Sequence, residues 1–278
     1  MCVLSTRATY LIEHVLAGVI VGRRIRLPKA APGTDIKDQA FPEVLARISG
    51  RVEDIAKSRA SISVTDGRIT LTTGWLCERW CSAYLLLKSN FLDQDNDPIL
   101  EALPVGDSFV WPANIPDPRT AHDLVLQANR IYPILVTAAV LHEIGHAINA
   151  KCDCSKPDME LRCDHFAAMY LLGSRMDGFR DISMLGLAAW FCCLCSESLN
   201  AGYWSIADHP NPIRRMQRYL RNFVPIESEL GTVIWLLCVG HVMRLARIHN
   251  RPALDEVVLL DNGYQNFNAL LSDLESCW

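Results

Sequence analysis

Long uninterrupted apolar segments are scarce in this 278-residue chain, although half of its residues are hydrophobic. A membrane-spanning helix needs about 20 consecutive, mostly apolar residues. The longest runs without a charged residue are 182–196 and 230–243. Both are too short for a typical span and suit helices of a protein core. We therefore expect no stable membrane insertion.

An excess of positive charge is also missing. The net charge is −4 and the isoelectric point is about 6.1, whereas nucleic-acid-binding domains are usually strongly basic. No nucleic-acid partner is expected. The chain contains no P-loop, no G-x-G-x-x-G and no G-x-S-x-G, so the motifs for those nucleotide and serine-hydrolase chemistries are absent.

The cysteines do not have the pattern of a disulfide framework. Their number, 11, is odd, and several lie in apolar stretches such as 191–195, where a thiol packs as a small hydrophobic group. The apolar stretch 15–21 is followed, not preceded, by arginines, which is the reverse of a secretory signal. We expect reduced thiols and a cytoplasmic protein.

The residue patterns predict a predominantly α-helical α+β fold with a small β-sheet. Residues 8–22 and 41–58 have the apolar spacing of helices. Alternating residues on both sides of a turn ending at Gly67 predict a hairpin over 61–72. Thr120 is expected to begin a helix that ends near Tyr132, and Pro133 to open a second one.

No linker or internal repeat divides the chain, so residues 1–278 are predicted to form one domain. Its parts are a helical and hairpin region over 1–118, a core over 119–222 and a helical region over 223–278. Within the core, Ser155 has the position of an N-cap for a helix that runs to Gly173.

The motif that indicates a reaction is His-Glu-Ile-Gly-His at residues 142–146. His142 and His146 are four residues apart, so on a helix they share one face and can hold one Zn²⁺ together. Glu143, beside them, can reach a metal-bound water and act as a base. The alternative is that both histidines are ordinary core residues. Burying His-Glu-His in an otherwise apolar helix without a metal is costly, which favours the metal.

A third ligand and a supporting carboxylate follow on the next predicted helix. Glu160 lies at its start and Asp164 one turn later. We predict that Glu160 completes the zinc ligands and that Asp164 accepts the second ring N–H of a ligand histidine. The alternatives are a first-turn acid that favours the helix dipole, for Glu160, and a solvated helix face, for Asp164.

The sequence from HExxH to Glu160-x-x-x-Asp164-x-Phe-Ala resembles the glutamate zincins, in particular the heat-shock protease HtpX and the CAAX proteases. The segment from His209-Pro to Arg215 matches their His-Pro-x-x-x-x-Arg element. The membrane spans of that group are missing. The chain is more similar to the Lit-type phage-exclusion peptidases, and repressor-cleaving peptidases of the ImmA type are a third relative. The resemblance covers about residues 119–222.

The resemblance implies a zincin-like metallopeptidase core with Zn²⁺ as cofactor and an intracellular protein or peptide as substrate. It also implies that His209 is catalytic and that Arg215 helps to hold the substrate or transition state. Together with the motif, it predicts hydrolysis of a peptide bond by Glu143-assisted attack of zinc-bound water. Two other functions remain open: a catalytically silent zinc-binding interaction module, and a membrane-associated HtpX-like protease. The oligomeric state is not predicted.

Overall fold

The computed structural model describes residues 3–26, 46–55, 61–63, 67–91, 109–150, 152–173, 177–200 and 210–248. The described helices are α1 (Val3–Tyr10), α2 (Thr73–Phe91), α3 (Asp123–Ile148), α4 (Lys156–Leu172), α5 (Asp177–Asn200), α6 (Pro212–Phe223) and α7 (Glu229–Ile248). The strands are β1 (Ile20–Val21), β2 (Arg24–Ile25), β3 (Ser49–Glu53), β4 (Ser61–Ser63) and β5 (Arg68–Thr72). The predicted α+β class, predominantly α-helical with a small sheet, is confirmed.

The five strands form one mixed sheet in the order β1-β2-β3-β5-β4. Strand β4 pairs antiparallel with β5, and Ile62 lies opposite Ile69. This pairing confirms the predicted hairpin. Strands β3 and β5 are parallel, with Val52 opposite Leu71. The buried residues of β3 and β5 belong to the same hydrophobic core as the helices.

The prediction of a helix over 41–58 is wrong for residues 49–53, which form β3. A β-carbon on Gly50 would lie 2.6 Å from Cβ of Ile25, so the glycine allows β2 and β3 to approach closely. Pairing with two neighbouring strands satisfies the backbone hydrogen bonds of this segment. This pairing outweighs the preference for a helix that its apolar spacing indicates. The predicted helix over 8–22 is also shorter than expected: after α1 the chain forms one π-helical turn at Leu11–Val15 and then enters β1.

Helix α3 is continuous through Pro133, so the prediction of two separate helices is wrong. A proline inside a helix costs about 3 kcal/mol relative to alanine. The helix buries side chains on nearly every face, and this packing outweighs the cost. The Oγ1 atom of Thr137 donates to the carbonyl oxygen of Pro133 at 2.7 Å.

Packing around α3 determines where its C-terminal end lies. Helices α2, α4 and α5 all contact α3. The hydroxyl of Tyr132 donates to the carbonyl oxygen of Leu76 on α2 at 2.8 Å. On another side, a β-carbon on Gly186 of α5 would lie 2.5 Å from Cβ of Ile134. These contacts hold α3 as a central helix with neighbours on several sides.

Within the part of the chain that the structure describes, two helical segments are long and apolar enough to cross a membrane by length and composition alone: Asp123–Ile148 and Gly178–Ser198. In each helix, 61% of the apolar 18-residue stretch that meets these criteria is buried inside the protein. Because a core helix of a soluble protein passes the same test, this is weak evidence for a membrane span.

Candidate metal centre

The two histidines of the motif lie near the C-terminal end of α3. The ring centroids of His142 and His146 are 4.8 Å apart and their planes are inclined at 85°. The helix ends two residues after His146, and the backbone N–H of Asn149 donates to the carbonyl oxygen of Gly145. The sequence therefore places both imidazoles on one face of the last turns of α3.

Helix α4 brings Glu160 to the same place. Ser155 is its N-cap, and the side chain of Ser155 accepts from the backbone N–H of Asp158 at 3.2 Å. The helix ends before Gly173, so both predicted ends are confirmed. Glu160 lies in the second turn and is buried.

The close approach of α3 and α4 depends on a residue that we did not single out from the sequence. A β-carbon on Gly145 would lie 2.9 Å from Cα of Cys163, a separation that real β-carbons essentially never show. The sequence signal for this contact was a glycine inside an otherwise apolar helix.

Donor atoms of three side chains on these helices come close together, and one ligand atom from each side chain lies within 4.8 Å of the other two. Nε2 of His142 lies 3.2 Å from Oε2 of Glu160, and Nε2 of His146 lies 3.2 Å from Oε1 of Glu160. The two Nε2 atoms are 3.2 Å apart. Tetrahedral Zn²⁺ with bonds of 2.0–2.1 Å separates its ligand atoms by roughly 3.3 Å. The donor set and its spacing therefore fit a zinc ion held by three side chains.

The electrostatics of the site also favour a cation. Burial alone would lower the pKa of His142, but hydrogen bonds to Asp164 and Glu160 raise it to about 9. The two buried carboxylates thus stabilise positive charge at this imidazole. A metal ion in the same place supplies that charge and leaves both histidines neutral, as ligands must be.

Asp164 contacts the histidine ring on the side away from the three donor atoms. Its Oδ1 lies 2.9 Å from Nδ1 of His142. Arg215 of α6 holds the same carboxylate with two bonds of 2.7 Å, from Nε to Oδ2 and from Nη2 to Oδ1. Burial would raise the pKa of Asp164, but Arg215 and His142 lower it to about 2. The carboxylate stays ionised and can orient the ring of His142.

Glu143 follows His142 on α3 and is partly buried. Burial raises the pKa of its carboxyl group above the usual value, and the neighbouring histidines oppose that rise. A carboxylate with a raised pKa is a better proton acceptor near neutral pH than an exposed one. Its position and its environment therefore suit a general base.

The structure assembles six of the seven predicted site residues in or beside one cluster; the seventh, His209, lies outside the described residues. Arg215 is buried against Asp164, and its Nη1 lies 3.4 Å from Oε2 of Glu160. The neighbouring arginines of α6 differ from it: Arg214, Arg218 and Arg221 are exposed, whereas Arg215 is buried.

An aromatic residue that we did not predict also lies beside the site. The ring of Trp190 on α5 is 6.5 Å from that of His142, centroid to centroid. Its position on α5, far along the chain from the motif, gave no sequence signal.

The part of the chain that contains this site matches a known protein family. Residues 102–238 match the family model of Peptidase U49. This is the Lit-type peptidase family, so the match agrees with the Lit-type part of the resemblance. The matched range contains both histidines, Glu143, Glu160, Asp164 and Arg215. No curated protein and no solved structure matches the chain significantly. The match supports a peptidase, which acts on a protein or peptide.

Proposed function

We propose that this protein is a zinc-dependent metallopeptidase that cleaves an intracellular protein. The observation that carries the proposal is the cluster of His142, His146 and Glu160, in which each imidazole Nε2 lies 3.2 Å from one carboxylate oxygen of Glu160 and the two Nε2 atoms are 3.2 Å apart. The similarity of residues 102–238 to Peptidase U49 supports the reaction class.

The three donor side chains would hold Zn²⁺, which supplies a Lewis acid that polarises a peptide carbonyl and makes water easier to deprotonate. Asp164, anchored by Arg215, keeps the proton of His142 on Nδ1. This leaves the lone pair of Nε2 directed at the ligand cluster. Arg215 thereby acts on His142 through Asp164. This role does not require Arg215 to contact the substrate.

Glu143 would take the proton from the attacking water and pass it to the nitrogen of the leaving amine. Its raised pKa suits both steps, because a weaker acid accepts a proton more readily and still donates it to an amine. His209 remains a proposed second catalytic residue on the basis of the resemblance alone.

We place the enzyme in the cytoplasm, since seven of the nine described cysteines are buried thiols packed in the protein. Phage exclusion is the proposed setting, by similarity to Lit-type peptidases. The corresponding test compares phage plating on cells that express the parent or the Glu143→Gln variant.

The Glu143→Gln variant tests the mechanism. Gln has nearly the shape of Glu but cannot act as a base. The new peptide termini that the parent produces in a cell lysate should therefore be missing when the variant is added instead. Zinc content and thermal unfolding should stay unchanged. The control is Glu229→Gln, which alters an exposed glutamate at the start of α7 and should cleave like the parent. Unchanged cleavage by Glu143→Gln would rule out Glu143 as the base. A zinc-loaded parent that cleaves nothing would favour the binding module.

A further inference from the structure

Two of the nine described cysteines differ from the rest in their exposure. Cys152 and Cys154 are partly exposed, whereas the other seven are buried. Both lie in the connector between α3 and α4, whose described residues, 149, 150 and 152–155, form no helix or strand. The connector therefore presents two thiols to solvent at a point where the backbone is free of regular hydrogen bonding.

The two cysteines are separated by a single residue. Hydrogen bonding to the Cys152 side chain raises the pKa of the Cys154 thiol above its usual value. The connector is held on one side by a bond of 2.8 Å from the N–H of Cys152 to the carbonyl oxygen of Asn149. On the other side Ser155 caps α4. The segment that carries the two thiols is thus fixed at both ends.

A second thiol pair provides an internal comparison. Sγ of Cys192 lies 4.0 Å from Sγ of Cys238, and both residues are fully buried between α5 and α7. Burial raises the pKa of Cys192 well above its usual value. Because both thiols are buried and no disulfide reagent reaches them in the folded protein, the Cys192–Cys238 pair should remain reduced.

We infer that Cys152 and Cys154 form a reversible redox modification site that reacts with small disulfides of the glutathione type. The thiolate of one cysteine attacks the disulfide and releases one glutathione thiolate. The thiolate of the other cysteine then attacks the mixed disulfide and releases the second. The cysteine pair loses two electrons and its two protons, and oxidised glutathione becomes two molecules of reduced glutathione.

The position of the pair indicates a labile disulfide, not a structural one. A bond between residues two positions apart closes a very short loop and so removes little entropy from the unfolded chain. Exposed disulfides that contribute little stability are the ones that are readily reduced. This inference does not depend on the proposed peptidase activity.

The test uses the full-length protein equilibrated in buffers of increasing oxidised-to-reduced glutathione ratio. Acid quenching, alkylation and peptide mass mapping then identify each cysteine's state. We expect a Cys152–Cys154 disulfide that forms with increasing ratio and is reversed by reduced glutathione, while Cys192 and Cys238 remain thiols. In the Cys154→Ser variant, Cys152 should stop at the mixed disulfide with glutathione.

Two results would overturn the inference. One is that Cys152 and Cys154 stay fully reduced, or carry only glutathione, over the whole series. The other is that Cys192 and Cys238 oxidise at the same ratio as the connector pair, since exposure would then not select the site. Cys163→Ser, which removes a buried thiol of α4, is the control and should leave the Cys152–Cys154 reaction unchanged.

Discussion

A β-carbon on Gly145 would lie 2.9 Å from Cα of Cys163, so α3 and α4 are as close at this point as a glycine permits. The contact lies between the histidines of α3 and Glu160 of α4. The spacing of the three donor atoms therefore depends on a residue that donates nothing itself.

Gly145→Ala is expected to push the two helices apart. Overpacking of this kind costs about 1–3 kcal/mol, and the better helix propensity of alanine returns only about 1 kcal/mol. We expect lower stability in urea and weaker zinc retention against a chelator. Gly178→Ala is the matched control, because nothing lies within 4 Å of the new β-carbon. Equal behaviour of the two variants would show that the close approach is not needed.

Protein purified without chelators should contain one zinc ion per chain, measured by elemental analysis. His146→Ala removes one of the three donor atoms and should lose most of the metal. His165→Ala, which removes a histidine of α4 that lies against Phe223, should keep it. Full zinc content in His146→Ala would contradict the donor set.

Arg215→Ala should destabilise the fold by about 3–5 kcal/mol, because the buried carboxylate of Asp164 loses its charged partner. Arg214→Ala, on the exposed face of the same helix, should change the free energy of unfolding by no more than about 0.5 kcal/mol. Urea unfolding of both variants gives the comparison. A small effect of Arg215→Ala would mean that water or another group readily replaces the guanidinium.

His241 should make the protein less stable in acid. Burial, and the nearby Arg244, lower its pKa from 6.5 to about 3, although its bond to the carbonyl oxygen of Cys192 opposes this. Below pH 6.5 the unfolded chain binds a proton that the folded chain refuses, so stability is present above this pH and falls as pH decreases. The slope due to His241 is about 1.4 kcal/mol per pH unit between those two values.

The measurement is the free energy of unfolding in urea from neutral pH to about pH 5, compared between the parent and His241→Gln. The variant should have a flatter pH dependence. The corresponding change at His165, whose pKa is also lowered but which is exposed, should flatten it much less. Identical slopes in the parent and His241→Gln would assign the acid sensitivity to other groups.

Local sequence features predicted the parts of the fold that depend on neighbouring residues. The Ser155 cap and the end at Gly173 defined α4, and alternation about Gly67 defined the β4–β5 hairpin. Predictions failed where distant contacts outweighed local preference. The segment at Ser49–Glu53 has helical apolar spacing but pairs with β2 and β5. Pro133 has the form of a helix start, but burial on all sides carries α3 through it.

For the candidate site, the sequence by itself determined which chemical groups are available and which of them share a helix face. Spacings of four residues bring His142 beside His146 and Glu160 in line with Asp164, because a helix turns once in 3.6 residues. The distance between these two pairs is set by the packing of α3 on α4 at Gly145. The orientation of Arg215 is likewise a tertiary result: one face of α6 is buried against α4, and a guanidinium there must find a carboxylate because an unpaired buried charge is too costly. Spacing along the chain encodes neither contact, since both depend on how separate helices fill the same volume.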